Sequence, residues 1–166
     1  MERNMDNTSP NTAWPPRIVV CVGTAVLRDN KILLIRQAKG TSLAGQWSIP
    51  WGVVEQGETP DEAALRETRE EGGVTAIITG LLGYQNFNWE TMTALIYLCQ
   101  HVSGEPQHDD GHETDAAAYF SLAELDALNE PIEPWCDWLA RRVLQGNYHL
   151  IPLVADNPQQ PRAAFF

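Results

Sequence analysis

Residues 52–74 read GVVEQGETPDEAALRETREEGGV, and this segment decides how the whole chain is interpreted. Its middle predicts a helix. Thr59 is a favourable N-cap, Pro60 suits the first helical position, and Glu62 completes a capping box. Gly72 and Gly73 then end the helix, because glycine readily adopts the left-handed conformation found after a helical C-terminus. The segment therefore carries one short helix between two loops.

Three glutamates share one face of this predicted helix. At about 100° per residue, Glu67, Glu70 and Glu71 stand at i, i+3 and i+4. Carboxylates so close together repel one another unless a cation binds them. Mg²⁺ is a suitable counter-charge because it prefers oxygen ligands, and Mn²⁺ is an alternative. The competing interpretation is a solvated acidic face, since charge runs on surface helices are common.

The wider segment resembles the Nudix box. That signature is glycine, five residues, glutamate, seven residues, Arg-Glu, an aliphatic, any residue, Glu-Glu, any residue, glycine and an aliphatic. Thr68 stands at the first aliphatic position, where we expect weaker packing and unchanged chemistry. Trp51 replaces a glycine usual in the family, and it either packs or shapes a substrate pocket. The matching residues are Gly52, Glu58, Arg66, Glu67, Glu70, Glu71, Gly73 and Val74.

The resemblance implies a role for each matched side chain. Glu67 is expected to be a metal ligand or the base that deprotonates water. Gly52 is expected to bring its backbone close to the metal, where a side chain would intrude. Glu58 and Arg66 are expected to pair and hold the loop against the helix. The residues implied at the metal site are Gly52, Glu67, Glu70 and Glu71.

Further candidates lie outside the box. Glu113 and Asp115 precede a short predicted strand, where Nudix proteins often place an extra ligand or catalytic glutamate; a solvated loop is an equally good interpretation. We favour Glu113 as the base, because a base must approach the water from another direction than the helix carboxylates.

Arg36 is a candidate phosphate clamp. Asn129 either contacts the nucleobase of the substrate, as in the MutT-like branch, or is a helix N-cap. Aromatic candidates for stacking on a nucleobase or sugar are Trp47, Trp51, Phe87 and Trp89.

The elements around the box predict the fold class. We expect strands over residues 17–27, 31–36, 46–54, 74–87, 91–102 and 116–120, and helices over 60–71, 121–128 and 131–144. This order predicts an α/β fold, in which a mixed β-sheet is sandwiched between helices (α/β/α), and the resemblance implies that this is the Nudix fold. The expected divisions are a flexible N-terminal leader at 1–16, a Nudix hydrolase domain at 17–145 and a C-terminal tail at 146–166.

Composition excludes several function classes. The 166 residues carry a net charge of −11, which argues against nucleic-acid binding because that requires clustered Lys and Arg. No apolar run is long enough for a membrane span, and no secretory signal is visible. Cys21, Cys99 and Cys136 are too scattered for a zinc site or a disulfide framework, so we expect free thiols in the cytoplasm. The sequence is compatible with a homodimer.

These features predict a Mg²⁺-dependent hydrolase that cleaves a phosphoanhydride bond in a nucleoside diphosphate linked to another group. The substrate would be a small nucleotide, either a nucleoside triphosphate or a nucleotide sugar. Glu67 or Glu113 would activate the attacking water. Two alternatives stay open. One is a Nudix-fold nucleotide-binding sensor without catalysis, although such proteins usually have broken boxes. The other is a Nudix-fold isomerase acting on a prenyl diphosphate.

Overall fold

The computed structural model of the chain describes residues 18–87, 91–154 and 163–164. The expected N-terminal leader at 1–16 lies outside the described residues. So do Trp89, which was a stacking candidate, and residues 155–162 and 165–166 of the expected tail.

A β-hairpin opens the described part of the chain. Strands β1 (Val19–Arg28) and β2 (Lys31–Gln37) pair antiparallel, with Leu27 opposite Ile32. The connecting residues Asp29 and Asn30 have positive φ angles of 50° and 57°. Two-residue hairpin turns of type I′ need positive φ at both positions, and Asp and Asn tolerate it. The local sequence therefore fixes this turn and the register of the two strands.

The hairpin forms part of a mixed sheet of seven strands within the described residues. Its other strands are β3 (Trp47–Ser48), β4 (Trp51–Val53), β5 (Thr75–Phe87), β6 (Met92–Ser103) and β7 (Thr114–Phe120). β1 pairs in parallel with β6 and antiparallel with β2 and β4. β2 pairs antiparallel with β3 and β7, and β5 pairs antiparallel with β6 at the far edge.

Helices cover both faces of the sheet. Side chains that alternate along β1 point to opposite faces. Val22 and Val26 pack on the face covered by the first helix, whereas Cys21 and Ala25 pack on the other face. This confirms the predicted α/β class and the arrangement of a mixed sheet between helices. The helices are α1 (Pro60–Gly72) on the first face, and α2 (Leu122–Ala127) and α3 (Pro134–Leu144) on the second.

The last helix begins three residues later than the sequence pattern suggested. Pro131 and Pro134 can both stand in a first helical turn, but a helix from 131 would force Glu133 into a helical conformation just before a proline, which is disfavoured. Glu133 instead has φ −56° and ψ 127° and is the N-cap of α3. The preceding residues extend along β3, where the amide of Trp47 donates to the Pro131 carbonyl at 2.9 Å.

The start of the expected C-terminal tail contacts the sheet. Leu81 of β5 and Ile151 exchange two backbone hydrogen bonds of 2.8 and 2.9 Å. A short pair of strands follows, β8 (Leu153–Val154) and β9 (Ala163–Ala164), which pair antiparallel. Part of the exposed edge of β5 is therefore covered by the chain itself, which lowers the number of backbone groups left unpaired at that edge.

Cys21, Cys99 and Cys136 are free thiols and are buried, as the scattered spacing indicated. In the described part of the chain, no helix combines the length and apolar character needed to cross a membrane.

Thr68, at the aliphatic position of the box, is fully buried between α1 and β1. Its hydroxyl donates to the carbonyl of Ala64 at 2.8 Å, so it accepts a hydrogen bond from the Thr24 hydroxyl, which is 2.8 Å away. Both buried hydroxyls are thereby satisfied. The departure from the family pattern is thus matched by a second polar residue on the strand against which α1 packs.

We predict that Thr68→Val lowers the free energy of unfolding by about 1–3 kcal/mol, because it leaves the Thr24 hydroxyl buried without this partner. The double variant Thr24→Val/Thr68→Val removes both hydroxyls at nearly constant shape and should recover most of that loss. Urea unfolding of the wild type, both single variants and the double variant measures the coupling. A double variant whose loss equals the sum of the two single losses would contradict the pairing.

Candidate active site

The box helix α1 begins and ends as its sequence predicts. Thr59 is its N-cap, and the Thr59 amide donates to the carboxylate of Glu62 at 2.9 Å, as in a capping box. Gly73 ends the helix with a left-handed φ of 71°. The packing of Ala63 and Ala64 against the core side chains of the sheet sets the rotation of the helix. Its buried stripe consists of Ala63, Ala64, Glu67, Thr68, Glu71 and Gly72.

Two of the box glutamates therefore lie where an amphipathic helix normally carries apolar side chains. Glu67 is 7% exposed and Glu71 is 3% exposed. Glu113, from the loop before β7, brings an exposed carboxylate to the same place. Oxygen atoms of Glu67, Glu71 and Glu113 all lie within 4.8 Å of one another. We call these three residues the acidic cluster.

The backbone of β4 lines the acidic cluster. The amide of Trp51 donates to Glu71 Oε2 at 2.7 Å. A Cβ atom added at Gly52 would overlap the Glu67 carboxylate, so any other residue there would force Glu67 to move. The backbone of Gly52 therefore approaches the cluster closely, in agreement with the reason for expecting a glycine at this position.

Burial changes the acidity of the cluster. Loss of hydration raises the pKa of Glu71 to about 9; the Trp51 amide opposes this rise, and the charges of Glu67 and Glu113 add to it. Burial also raises the pKa of Glu67, against the lowering effect of Arg66. Without a cation, Glu71 is therefore mostly protonated at neutral pH.

The donor set fits a divalent cation of the Mg²⁺ or Mn²⁺ type. The acidic cluster offers carboxylate oxygens only, which are the ligands that such hard cations prefer. The pKa of Glu71 shows that the protein does not itself supply enough positive charge there to keep that carboxyl ionised. A bound divalent cation would supply this charge.

Arg66 joins the box loop to the helix. Its Nη2 donates to Glu58 Oε1 at 2.7 Å and its Nε donates to Glu58 Oε2 at 3.2 Å, so the pair expected from the sequence is present and bidentate. The same Nη2 donates to the carbonyl of Val53 at 3.1 Å. Nη1 donates to Glu67 Oε1 at 2.7 Å and thereby orients one member of the acidic cluster.

Glu70 stands apart from the acidic cluster. Its side chain is 58% exposed and lies 3.0 Å from Arg66 Nη1. Helical spacing predicts three box glutamates on one helix face, whereas the structure brings two of them together with Glu113. Glu67 and Glu71 follow the buried stripe of α1, and Glu70 lies at its solvent edge. A role for Glu70 as a metal ligand stays a prediction.

Arg36 and Asp115 belong to a separate ionic network. Arg36 Nε donates to Asp115 and its Nη1 donates to Glu130, both at 2.7 Å. The indole Nε1 of Trp47 also donates to Glu130, at 2.9 Å. The guanidinium of Arg36, expected to clamp phosphates, is thus bound to two carboxylates. Sequence reasoning missed Glu130 because no local pattern links a residue in the α2–α3 connection to the end of β2.

Asn129 is exposed and precedes this network. Its alternative role as N-cap of the last helix is wrong, because that position belongs to Glu133, whose side chain accepts the Cys136 amide at 2.7 Å. A contact from Asn129 to a substrate base stays a prediction.

A cavity of about 760 Å³ lies on the face of the sheet that α3 covers, and none of the three residues of the acidic cluster lines it. The side chain of Trp51 is half-buried and lines this cavity, while its backbone amide contacts Glu71. Trp47 was also a stacking candidate, but it is 5% exposed and packs edge-on against Phe120 in the core. The other aromatic walls are Phe87 and Trp135, and polar lining residues include Ser42, Gln85, Asn86 and Glu133.

Comparison with known proteins identifies the family. A family model described as the NUDIX domain matches residues 17–139, which is more than half of the chain. The chain therefore belongs to the Nudix hydrolase family. Its fold is similar to the crystal structure of a NUDIX hydrolase from Nitrosomonas europaea, with a TM-score of 0.70, 22% identity, and coverage of 80% of this chain and 73% of that one.

Curated relatives of different lengths share this domain. The chain is 29% identical over 123 residues to an 8-oxo-dGTP diphosphatase of Escherichia coli, covering 70% of this chain and 93% of that protein. It is 33% identical over 113 residues to an ADP-ribose pyrophosphatase of Methanocaldococcus jannaschii, covering 66% and 65%. The chain spans only 27% of the length of a Caenorhabditis elegans relative that is 34% identical over 101 residues.

The raised pKa of Glu71 predicts a pH-dependent effect of Glu71→Gln in metal-free buffer. A carboxyl with a higher pKa in the folded state stabilises the protein below its unfolded pKa of about 4.3, and this stabilisation is lost as pH rises towards about 9. Gln has no proton to lose and still accepts the Trp51 amide. The variant should therefore melt above the wild type at pH 8 by at least about 2 °C, the shift that roughly 1 kcal/mol gives in a domain of this size.

The gap in melting temperature should shrink towards pH 5 and reverse in saturating Mg²⁺, which stabilises only a protein that binds it. Glu70→Gln is the matched control, because its exposed side chain should give nearly the same melting temperature as the wild type at both pH values. The melting temperatures of all three proteins are measured by thermal unfolding, first with excess chelator and then with saturating Mg²⁺. If the difference in melting temperature between Glu71→Gln and the wild type is the same at pH 5 and pH 8, Glu71 is already ionised without metal.

Proposed function

We propose that this chain is a Mg²⁺-dependent hydrolase, with Mn²⁺ as an alternative cofactor, that cleaves a phosphoanhydride bond in a nucleoside diphosphate linked to another group. One observation carries this proposal: Trp51 contacts the acidic cluster with its backbone and lines the large cavity with its side chain. A substrate whose nucleoside lies in the cavity would therefore extend its phosphates towards Glu67, Glu71 and Glu113.

Glu67 and Glu71 are the proposed metal-binding side chains, with the backbone of Gly52 beside them and Glu70 as a further proposed ligand on the same helix. When bound there, Mg²⁺ would offset the charge of the phosphate oxygens while the P–O bond breaks. This charge compensation is necessary because a chain with a net charge of −11 repels a polyphosphate. Arg66 and Glu58 keep the loop and Glu67 in position.

Glu113 is the proposed base. Within the described residues its carboxylate accepts no hydrogen bond, whereas Glu67 accepts one from Arg66 and Glu71 accepts one from Trp51. Glu113 also comes from a loop rather than from α1, so it approaches the cluster from a different direction. It would take a proton from the attacking water as that water bonds to phosphorus and the bridging oxygen leaves. Glu67 is the alternative base.

The cavity fits the nucleoside part of the substrate. Nucleoside sites combine apolar and aromatic walls with a few polar groups that fix orientation. Trp51, Phe87 and Trp135 give the walls, and the amides of Gln85 and Asn86 give donors and acceptors. Trp51 is thus the proposed substrate contact with the strongest geometric support. Arg36 and Asn129 stay proposed contacts, although neither lines this cavity.

The names of the relatives support the same substrate class without selecting one member. One relative is an 8-oxo-dGTP diphosphatase, and another is an ADP-ribose pyrophosphatase. Nucleoside triphosphates and nucleotide sugars therefore both stay as proposals, and the low content of Lys and Arg favours a small nucleotide over a nucleic acid. Cytoplasmic location and homodimer formation also stay predictions.

We predict that the purified chain with Mg²⁺ hydrolyses at least one member of a panel of nucleoside triphosphates, oxidised nucleoside triphosphates, ADP-ribose and nucleotide sugars. The rate should rise between pH 7 and pH 9, because the attacking water must lose a proton. Excess chelator should abolish turnover, and Glu71→Gln should lower kcat by about 10²-fold or more. Chromatography of the nucleotide products and release of phosphate or pyrophosphate measure the reaction.

Two results would contradict the proposed function in different ways. Turnover that persists in excess chelator would exclude the metal-dependent mechanism. Tight binding of a panel member, measured by calorimetry, without turnover under any metal condition would favour the nucleotide sensor instead. The matched control is Glu105→Gln in the binding assay, because its exposed side chain lies outside the acidic cluster and the cavity and has no proposed role in binding.

A further inference from the structure

The loop that carries Glu113 is a turn on the protein surface. Asp110 and Gly111 have positive φ angles of 62° and 86°, and the Gly111 amide donates to the Thr114 carbonyl at 3.0 Å. Glu113 itself is exposed, so packing of its side chain does not hold it at the acidic cluster. A catalytic group on a surface loop needs other contacts to keep it in a productive geometry.

One carboxylate closes this turn. Asp109 Oδ2 accepts the backbone amide of Glu113 at 2.8 Å, and Asp109 Oδ1 accepts the amide of Thr114 at 2.9 Å. The Asp109 amide in turn donates to the hydroxyl of Thr114 at 3.1 Å. Charge-assisted hydrogen bonds of this kind are stronger than those between neutral groups. The two amides at the end of the loop thus share one ionised acceptor.

The same turn is anchored to the box helix and to β2. Thr114 is completely buried, and its hydroxyl lies 3.1 Å from the carbonyl of Glu71. The carbonyl of Glu113 accepts the amide of Ala38, just after β2, at 2.8 Å. The backbone of Glu113 is therefore held on its amide side by Asp109 and on its carbonyl side by Ala38. From this backbone its side chain reaches the cluster.

We propose that Asp109 is a positioning residue, which holds the backbone of Glu113 so that its carboxylate lies beside Glu67 and Glu71. The inference rests on the proposed function, in which Glu113 is the base. Asp109 is bonded to the backbone of the loop and is not a member of the acidic cluster, although its charge also raises the pKa of Glu71. The double-mutant cycle below separates the effect through Glu113 from this direct effect. Loss of Asp109 would reduce the fraction of molecules with Glu113 in place, which lowers kcat more than it changes KM.

The kinetic test is a double-mutant cycle with Asp109→Asn and Glu113→Gln. The asparagine NH₂ group would face a backbone N–H, so the turn loses one of its two acceptors. Asp109→Asn should lower kcat about tenfold or more and leave KM within about twofold. In the Glu113→Gln background the same change should have little further effect, because the residue through which it acts is already altered.

Asp110→Asn is the matched control, since it makes the same substitution at the adjacent residue. Asn tolerates the positive φ of Asp110, and Asp110 accepts neither loop amide. This variant should turn over like the wild type. If Asp109→Asn causes the same fold-loss in the wild-type and Glu113→Gln backgrounds, the two residues act independently and the positioning role is overturned.

Amide hydrogen exchange gives a test that does not depend on activity. NMR exchange rates of the substrate-free chain should show that Glu113 and Thr114 lose protection in Asp109→Asn but keep it in Asp110→Asn and Glu113→Gln. Unchanged protection of both amides in Asp109→Asn would overturn the proposal. If protection falls while Glu113→Gln turns over like the wild type, Asp109 does position Glu113, and the role of Glu113 as base in the proposed function fails.

Discussion

The arrangement of the site depends on the burial of two carboxyl groups on the stripe of α1 that faces the sheet. Glu67 and Glu71 take positions that apolar side chains would otherwise fill, and buried carboxylates are costly unless they are neutralised or paired. The protein offsets only part of this cost. Arg66 binds Glu67, the Trp51 amide binds Glu71, and the absence of a side chain at Gly52 leaves room. A divalent cation would complete the compensation.

Neighbouring elements make the buried pair usable for chemistry. The packing of Ala63 and Ala64 on the sheet sets the rotation of α1, so that Glu67 and Glu71 point at the same spot. The loop before β7 adds Glu113 from a second direction. β4 adds Trp51, which connects this spot to the cavity on the opposite face of the sheet. Burial of the carboxylates thus favours cation binding, and the cavity has room for the group attached to the phosphates.

Features set by local sequence could be predicted, and features set by distant contacts could not. The ends of α1 and the Asp29–Asn30 turn each follow from residues close together in sequence, whereas the Glu58–Arg66 pair was expected from the family resemblance. The start of α3 was predicted three residues too early, because Pro131 is also suited to a first helical turn and only its pairing with β3 excludes it. Helical spacing alone could not show that Glu70 lies at the solvent edge. The bonds of Arg36 and the cavity walls join segments far apart in the chain.

Calorimetric titration with Mg²⁺ at pH 7, in buffers of different ionisation enthalpy, tests the central claim most directly. If the cation binds at the buried pair, Glu71, with its pKa of about 9, must lose its proton, so binding should release about one proton per site. The apparent enthalpy should then depend on the buffer for the wild type and lose this dependence in Glu71→Gln. Mg²⁺ binding by the wild type with the same enthalpy in every buffer would contradict a cation site built on a buried, protonated Glu71.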